Sequence, residues 1–503
     1  MDYYHDARID WSFHIEITMN SPIFSTSKNG FTLILGLGET GLAAAHWYLR
    51  QQLPVRLADT RPHYQDYIDQ LHQQYEIAAI EVVLGAAAMQ LNVLDGVQTV
   101  VLSPGLAVTQ PEVAALLTAA TERGIRVISE IELFAQALAD LRLQGYQPKL
   151  LAVTGTNGKT TVTQMLKAMV QASGLTVRAA GNISPAALAA LTEALDQDAL
   201  PDFWVIELSS FQLQHTESLP VLAGTVLNLS QDHIDWHGSM AAYAQAKARL
   251  LSMSQLAIVN RDDAATLSLV AHHQVQSFGL NRPPQRQDMG VCEFQGQDWI
   301  CTTTADGKPD YLLPAAALLV QGKHNLSNAL AALALAHAAG LAWGPLLETL
   351  QHYQGEPHRC QFVRNIQGID FINDSKGTNV GATVAAIEGL KRPLVLIAGG
   401  VGKGQDFAPL VTSIQKNICR AVVLFGQDAQ KIAEQLQVVS VPVELVSSLE
   451  QAVHQAFSHA LSGDAVLLSP ACASLDMFKN YIERGQRFIE AVTDLALDHG
   501  EVA

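Results

Sequence analysis

The 503 residues carry 31 Lys and Arg against 48 Asp and Glu, a net charge of −17, with 49% hydrophobic residues. At roughly 150 residues per domain this length predicts about three globular domains, and the acidic balance excludes a general nucleic-acid coat, which needs surplus cations for phosphate. The five cysteines, Cys292, Cys301, Cys360, Cys419 and Cys472, are odd in number and lack CxxC spacing, so neither a disulfide framework nor a structural zinc site is expected and a reducing cytosol fits.

Residues 1–28 read as a disordered extension. Asp2, Asp6, Asp10 and Glu16 stand where a targeting peptide needs basic residues and then an apolar run. Met19 is the expected genuine start, with the residues before it dispensable. Patterned sequence begins at Phe31, and from there apolar runs recur, each followed by a glycine-rich or polar turn and a helix-like stretch, the rhythm of parallel α/β layers. The first block holds Phe31–Leu35, Val55–Ala58 and Thr99–Leu102. A second opens at Leu150–Val153 and continues through Phe203–Ile206, Val221–Leu227 and Ala257–Val259. The third holds Leu394–Ala398, Ala421–Phe425 and Ala465–Leu468. The expected division is 1–130, 131–356 and 357–503. The alanine-rich stretch Leu326–Leu347 reads as a core helix, and no membrane insertion is expected.

In parallel sheets the C-terminal strand ends face the ligand crevice. After the first strand comes Gly36-Leu37-Gly38-Glu39-Thr40-Gly41, with Asp59 closing the next strand about 20 residues on, as in a dinucleotide fingerprint. Alone this suggests NAD. Physically it says only that a diphosphate rests on a helix N-terminus, and a ligand-free turn remains an alternative. Ser103-Pro104-Gly105 can add backbone donors to the same crevice. The strongest signal is Gly155-Thr156-Asn157-Gly158-Lys159-Thr160-Thr161 between a strand and a helix: glycines turn backbone N–H groups toward phosphate, Lys159 neutralises the outer phosphates and Thr160 is placed for Mg²⁺. Glu207 ends a strand as the metal carboxylate such a loop needs. The run Asn228–Asp235 places His233 after another strand end, where it suits a second metal ion. In the third block, Asn373–Asn379, Gly399–Gly404 and Ser469–Ser474 offer lysines, hydroxyls and open turns suited to a small anionic substrate such as an amino acid with an extra carboxylate.

These residues resemble the Mur ligase family over roughly residues 31 to 490. The phosphate loop, Glu207-Leu208-Ser209-Ser210-Phe211-Gln212-Leu213, Gly322-Lys323-His324-Asn325 and Ser469-Pro470-Ala471-Cys472-Ala473-Ser474-Leu475-Asp476 carry the likeness. Gly36–Gly41, Asp374-Ser375-Lys376 and Ser474–Tyr481 with Arg484-Gly485 favour the member that adds D-glutamate to UDP-N-acetylmuramoyl-L-alanine.

The resemblance implies three α/β domains: a Rossmann-like N-terminal one for the UDP precursor, a central P-loop ATPase domain, and a Rossmann-like C-terminal one for the amino acid. It assigns the precursor to Gly36, Gly38, Thr40, Gly41, Asp59, Thr60, Arg61, Ser103, Pro104, Gly105, Asn182, Ser209 and Gln212. ATP falls to residues 155–161 with Asn325, Asn328, Arg359, Asp374 and Lys376. D-glutamate falls to Thr378, Lys403, Ser474, Leu475 and Tyr481. Two Mg²⁺ ions are implied on Thr160, Glu207, His233 and a carbamylated Lys247, with Lys159, Glu207, His233 and Lys247 catalytic; spacing alone reads Lys247 as a solvated helix lysine. A cytoplasmic monomer acting on small molecules in peptidoglycan precursor synthesis is expected. Gly377, Val401 and Tyr481 stand where some relatives differ, and folylpolyglutamate synthase, a P-loop ATPase without an acceptor, and an NAD dehydrogenase remain competing readings.

Overall fold

The computed structural model describes residues 30–75, 79–270, 274–320, 322–402 and 404–501. The expectations for residues 1–28, Met19 included, and for Lys403 lie outside them.

The first apolar run forms β1 (Phe31–Leu35), joined by β2 (Val55–Asp59), β3 (Ile80–Leu84), β4 (Val97–Leu102) and β5 (Arg126–Ile128). They make one parallel sheet in the order β3-β2-β1-β4-β5, with β1 central and Leu33, Ile34 and Leu35 fully buried. A strand covered on both faces reads as a continuous apolar run, which is why β1 is plain in the sequence.

The second sheet is built from β6 (Lys149–Thr154), β7 (Val177–Gly181), β8 (Phe203–Glu207), β9 (Val221–Val226), β10 (Ser254–Asn260) and β11 (Val275–Phe278). Its strands are parallel in the order β11-β10-β9-β6-β8-β7, so the β6 and β8 ends are neighbours. Beside it lies a small antiparallel sheet of β12 (Gly290–Phe294), β13 (Gln297–Thr303) and β14 (Pro309–Pro314), which the block reading did not foresee. The alanine-rich stretch Leu326–Leu347, expected as one core helix, is two: Lys323–Ala338, buried along Asn328–Ala336 against the helix Lys159–Ala172, and Trp343–His352, parted by a turn at Gly340 (φ +85°).

The third sheet contains β15 (Gln361–Ile366), β16 (Ile369–Asn373), β17 (Leu394–Gly399), β18 (Cys419–Phe425), β19 (Val443–Leu445) and β20 (Ala465–Leu468). Its order is β15-β16-β20-β17-β18-β19, antiparallel only at the β15 edge.

Packing divides the molecule unevenly. One apolar cluster runs through the first two units, from Ile34 and Trp47 through Phe134 and Leu138 to Leu150, Leu188 and Trp204. Phe134, on the helix Glu130–Leu143, meets Trp204 edge-on at 5.1 Å between ring centroids. The third unit keeps its own cores on the two faces of its sheet.

Candidate active site

After β6 the chain turns through Gly155 (φ +151°) and Gly158 (φ +82°) into the helix Lys159–Ala172. A Cβ on Gly158 would stand 2.4 Å from Asn328 Oδ1, so backbone sign and space both demand glycine here. Asn228, just past β9, clamps the loop tip: its Oδ1 accepts from the Asn157 N–H at 2.8 Å and its Nδ2 donates to the Asn157 carbonyl at 3.1 Å. Lys159 Nζ folds back to donate to the Gly155 and Thr156 carbonyls, each at 2.9 Å.

Lys247 shares the Gly155 carbonyl at 2.9 Å and also donates to Thr154 Oγ1 at 3.2 Å. It is 2% exposed, so the reading from spacing as a solvated lysine is wrong. The helix Met240–Met253 buries Tyr243, Ala246, Lys247, Leu250 and Leu251, a face at i, i+3, i+4, i+7, i+8 that includes the lysine. Burial first, and then the Lys159 charge, holds its ammonium well below the usual lysine range.

Glu207, 1% exposed at the end of β8, accepts from Asn182 Nδ2 at 2.8 Å through Oε1, while Oε2 is buried without a hydrogen-bond partner. A buried carboxylate oxygen left open in this way suits a hard cation. His233 sits at φ +55°, a left-handed conformation for a non-glycine residue, with its ring 4.8 Å from Phe211 and 3.5 Å from Asp232. Thr160 is in the first turn of its helix. Among the described residues no three His, Cys, Asp or Glu side chains gather as a cage. Such a sparse set fits Mg²⁺, which binds through one or two carboxylates plus substrate phosphates and water.

A cleft of ≈ 240 Å³ separates the second and third units. Its walls bring together Asn157, Gly158, Thr161, Asn325 and Asn328 on one side and Arg359, Asp374 and Lys376 on the other, eight of the twelve residues expected at ATP. A second cavity of ≈ 520 Å³ adjoins it past Asn325 and Arg359. Asp374 accepts from Ser469 Oγ at 2.7 Å and from the Cys360 N–H at 3.2 Å, and burial pushes its carboxyl up to about 6. Lys376 Nζ lies 3.9 Å from the Tyr481 ring centroid, joining a residue assigned to ATP with one assigned to D-glutamate. Ser474 is buried, Leu475 exposed, and Thr378 follows directly on the loop after β16. Arg484, fully buried, ties that loop to the one after β20 through Ser375 O (2.8 Å) and Cys472 O (3.1 Å).

In the first unit Gly36 (φ +91°) lets the chain pass Ser103, whose Cβ would lie 2.7 Å from a Cβ on Gly36, and Gly38 precedes the helix Glu39–Arg50, which includes Thr40 and Gly41. Pro104 and Gly105 continue the turn from Ser103, and Thr60 is exposed beside Asp59. Asp59 accepts from the Leu37 N–H (2.7 Å) and three times from Arg61 (2.8–2.9 Å). Burial raises this carboxyl, but Arg61 and the two backbone donors outweigh it and hold it below the usual range. Four donors hold the carboxylate in place at the end of β2. Three residues expected at the precursor have structural tasks here. Asn182 supports Glu207, and Ser209 and Gln212 form a reciprocal capping box on the helix Ser210–Gln214. The sequence reading assigned no role to Asn228, Asn379 or Arg484, which reach Asn157, Asn157 with Asp232, and Ser375 across 71 or more residues; their nearer bonds are those of Asn379 to Ala382 and of Arg484 to Cys472. No local spacing signals the distant contacts.

Comparison with known proteins adds an independent line. Residues 30–129 match the Mur ligase MurD-like N-terminal domain, 153–336 the Mur ligase middle domain, and 358–472 the Mur ligase glutamate ligase domain. The chain is 52% identical to the UDP-N-acetylmuramoylalanine–D-glutamate ligase of Bordetella avium, over 96% of this chain and 100% of that protein. It is 47% identical to the ligase of the same name from Burkholderia cenocepacia, over 95% and 99%. Among solved structures it resembles MurF of Acinetobacter baumannii (TM-score 0.57, 19% identity, covering 75% and 88%). It also resembles MurF of Thermotoga maritima in complex with ADP (TM-score 0.56, 16% identity, covering 80% and 95%).

Proposed function

The chain belongs to the Mur ligase family, and on that premise we propose that it joins D-glutamate to UDP-N-acetylmuramoyl-L-alanine with cleavage of ATP, through an acyl phosphate. The observation that carries the reading is the cleft in which the glycine loop faces Arg359, Asp374 and Lys376 of the unit matching a glutamate ligase domain.

A carboxylate is a poor acyl donor because its charge repels nucleophiles and oxide leaves badly; phosphorylation removes both faults. The muramoyl-alanine carboxylate attacks the ATP γ-phosphate in line, and Lys159 at the loop stabilises charge developing on the equatorial oxygens. The D-glutamate amine then attacks the acyl carbonyl, and phosphate leaves as the amide forms. No protein nucleophile is needed. Thr160, Glu207 and His233 would hold the two Mg²⁺ ions, which supply neutralisation of phosphate charge when bound. Burial disfavours the charged form of Lys247, and its neutral amine is the form that would add carbon dioxide, with loss of a proton, to become a carbamate that puts a carboxylate in place of a cation.

In this reading residues 1–130 take the UDP precursor, 131–356 take ATP, and 357–503 take D-glutamate through Thr378, Lys403, Ser474, Leu475 and Tyr481. Asn182, Ser209 and Gln212, beside Glu207, bind the precursor as well as holding their local structure. The protein works as a cytoplasmic monomer on small molecules; among the described residues no helix is long and apolar enough to cross a membrane. Incubating the pure protein with ATP, Mg²⁺, UDP-N-acetylmuramoyl-L-alanine and either glutamate enantiomer, then weighing the product, tests it. The mass of one added glutamate, with the D enantiomer only, is expected. Phosphate release that ignores the amino acid would instead support a P-loop ATPase.

A further inference from the structure

The third unit touches the phosphate loop through one buried side chain. Asn379, 4% exposed, donates from Nδ2 to Asn157 Oδ1 at 3.0 Å and to Asp232 Oδ2 at 3.3 Å. Its Oδ1 accepts from the Ala382 N–H at 2.9 Å, capping the helix Val380–Leu390, and from Asn157 Nδ2 at 3.4 Å. Asn157 is at the tip of the phosphate loop, already fixed through its backbone by Asn228. Asp232, equally buried, is the residue before His233, accepts from the His233 N–H at 3.0 Å and lies 3.5 Å from its ring. Gly381 keeps the approach close: a Cβ there would lie 3.1 Å from Ser230 Oγ and 3.6 Å from Asn157 Nδ2.

We propose that Asn379 is a positioning residue that seats the amino-acid unit on the phosphate loop and the His233 turn together. The inference rests on the ligase reading above. The amine must arrive from the third unit at a carbonyl activated in the second, so the two units need a fixed register at the moment of attack. An amide is suited to this node because it both donates and accepts. Its donor side meets one carboxylate and one amide oxygen, and its acceptor side meets a helix N-terminus and an amide N–H. The bridge spans 222 residues of chain to the loop and 147 to Asp232, so it exists only while the units are in contact.

Asn379→Ser separates this role from helix capping, because serine keeps a capping oxygen but is too short to reach Asn157 and Asp232. A residue that only caps predicts a serine variant like wild type. The proposal predicts a fall in kcat of at least about tenfold and a raised KM for D-glutamate, with an unchanged KM for the precursor, which binds the first unit. Asn379→Asp sets a carboxylate against Asp232 and is expected to be worse, whereas Asn379→Asp with Asp232→Asn restores complementarity and recovers activity over Asn379→Asp alone. Small-angle scattering needs no substrate and is expected to show a larger radius of gyration for Asn379→Ser than for wild type. Wild-type kcat, KM and radius of gyration in Asn379→Ser would overturn the proposal. A wild-type protein inactive on D-glutamate, beside a serine variant that still opens, would instead remove the ligase reading and leave the bridge standing.

Discussion

Lys159 and Lys247 converge on one acceptor, the Gly155 carbonyl, so two amines compete for the mouth of a loop built to hold phosphate. Burial sets them apart: Lys247 is sealed in at 2% exposure, which disfavours its charged form, while Lys159, on the first turn of its helix, is only half-buried. In the proposed function Lys159 is therefore the cation that meets the phosphates. Lys159→Ala is expected to lower the rate of acyl-phosphate formation by about 10²–10³-fold, as for loss of one preorganised charge-stabilising donor. Trapping the intermediate with hydroxylamine in single turnovers measures it, and a near-normal rate would take the central role from this residue. Gly158 is the steric counterpart. Gly158→Ala puts a methyl group 2.4 Å from Asn328 Oδ1 at a left-handed φ, a strain of about 1–2 kcal/mol before the clash is counted. Weaker ATP binding in a titration, with the precursor still bound normally, is the expected outcome.

At the scale of elements, the helix Ala187–Asp196 lacks a side-chain cap of its own and receives two carboxylates from the first unit and the helix that follows it. Glu39 Oε1 accepts from the Ala186 N–H (3.1 Å) and Ser184 Oγ (2.8 Å), and Glu130 Oε1 accepts from the Leu188 N–H. Glu130 is 2% exposed with Oε2 unpartnered, and burial, partly offset by the Leu188 N–H, pushes its carboxyl up to about 7. A raised carboxyl pKa means the folded state holds the proton between about 4.5 and 7, so this contribution is complete below that window and is lost as pH rises through 7. Glu130→Gln removes the titration. Its stability relative to wild type should therefore rise by about 2–3 kcal/mol from pH 5 to pH 8, read from denaturant unfolding at each pH. A pH-independent difference would show that Glu130 titrates normally. The strands absent from the block reading follow a physical rule. β3, β5, β7, β11, β15 and β19 are sheet edges and β12–β14 form an antiparallel patch, so their half-exposed sequences lack the apolar runs that mark β1, β6 or β17. In the three larger sheets β16, Ile369-Asp370-Phe371-Ile372-Asn373, is the interior strand that was passed over, its run broken by an aspartate paired with Arg392. Motifs at strand ends were legible because phosphate chemistry dictates glycine and lysine at short spacing. Asn228, Asn379 and the buried face of Lys247 were not, because they depend on which distant elements meet.

For the whole molecule the two seams between units differ in kind. The first and second units share a continuous apolar core through Trp47, Phe134, Leu188 and Trp204, and sliding one past the other would open cavities in close-packed side chains. The second and third units have separate cores and meet across the polar cleft of Asn157, Asn328, Arg359 and Lys376, where water can replace each contact. Substrate-driven motion belongs at the second seam, and there it expels water from an acyl phosphate that water would hydrolyse. Fluorophores at the exposed positions Glu122, Gln197 and Lys416, one on each unit, separate the two seams. Adding an ATP analogue with precursor is expected to change transfer between 197 and 416 and leave transfer between 122 and 197 constant. The converse pattern would mean that the shared core yields before the polar cleft does, and the division of the molecule into a rigid pair and a moving third unit would be wrong.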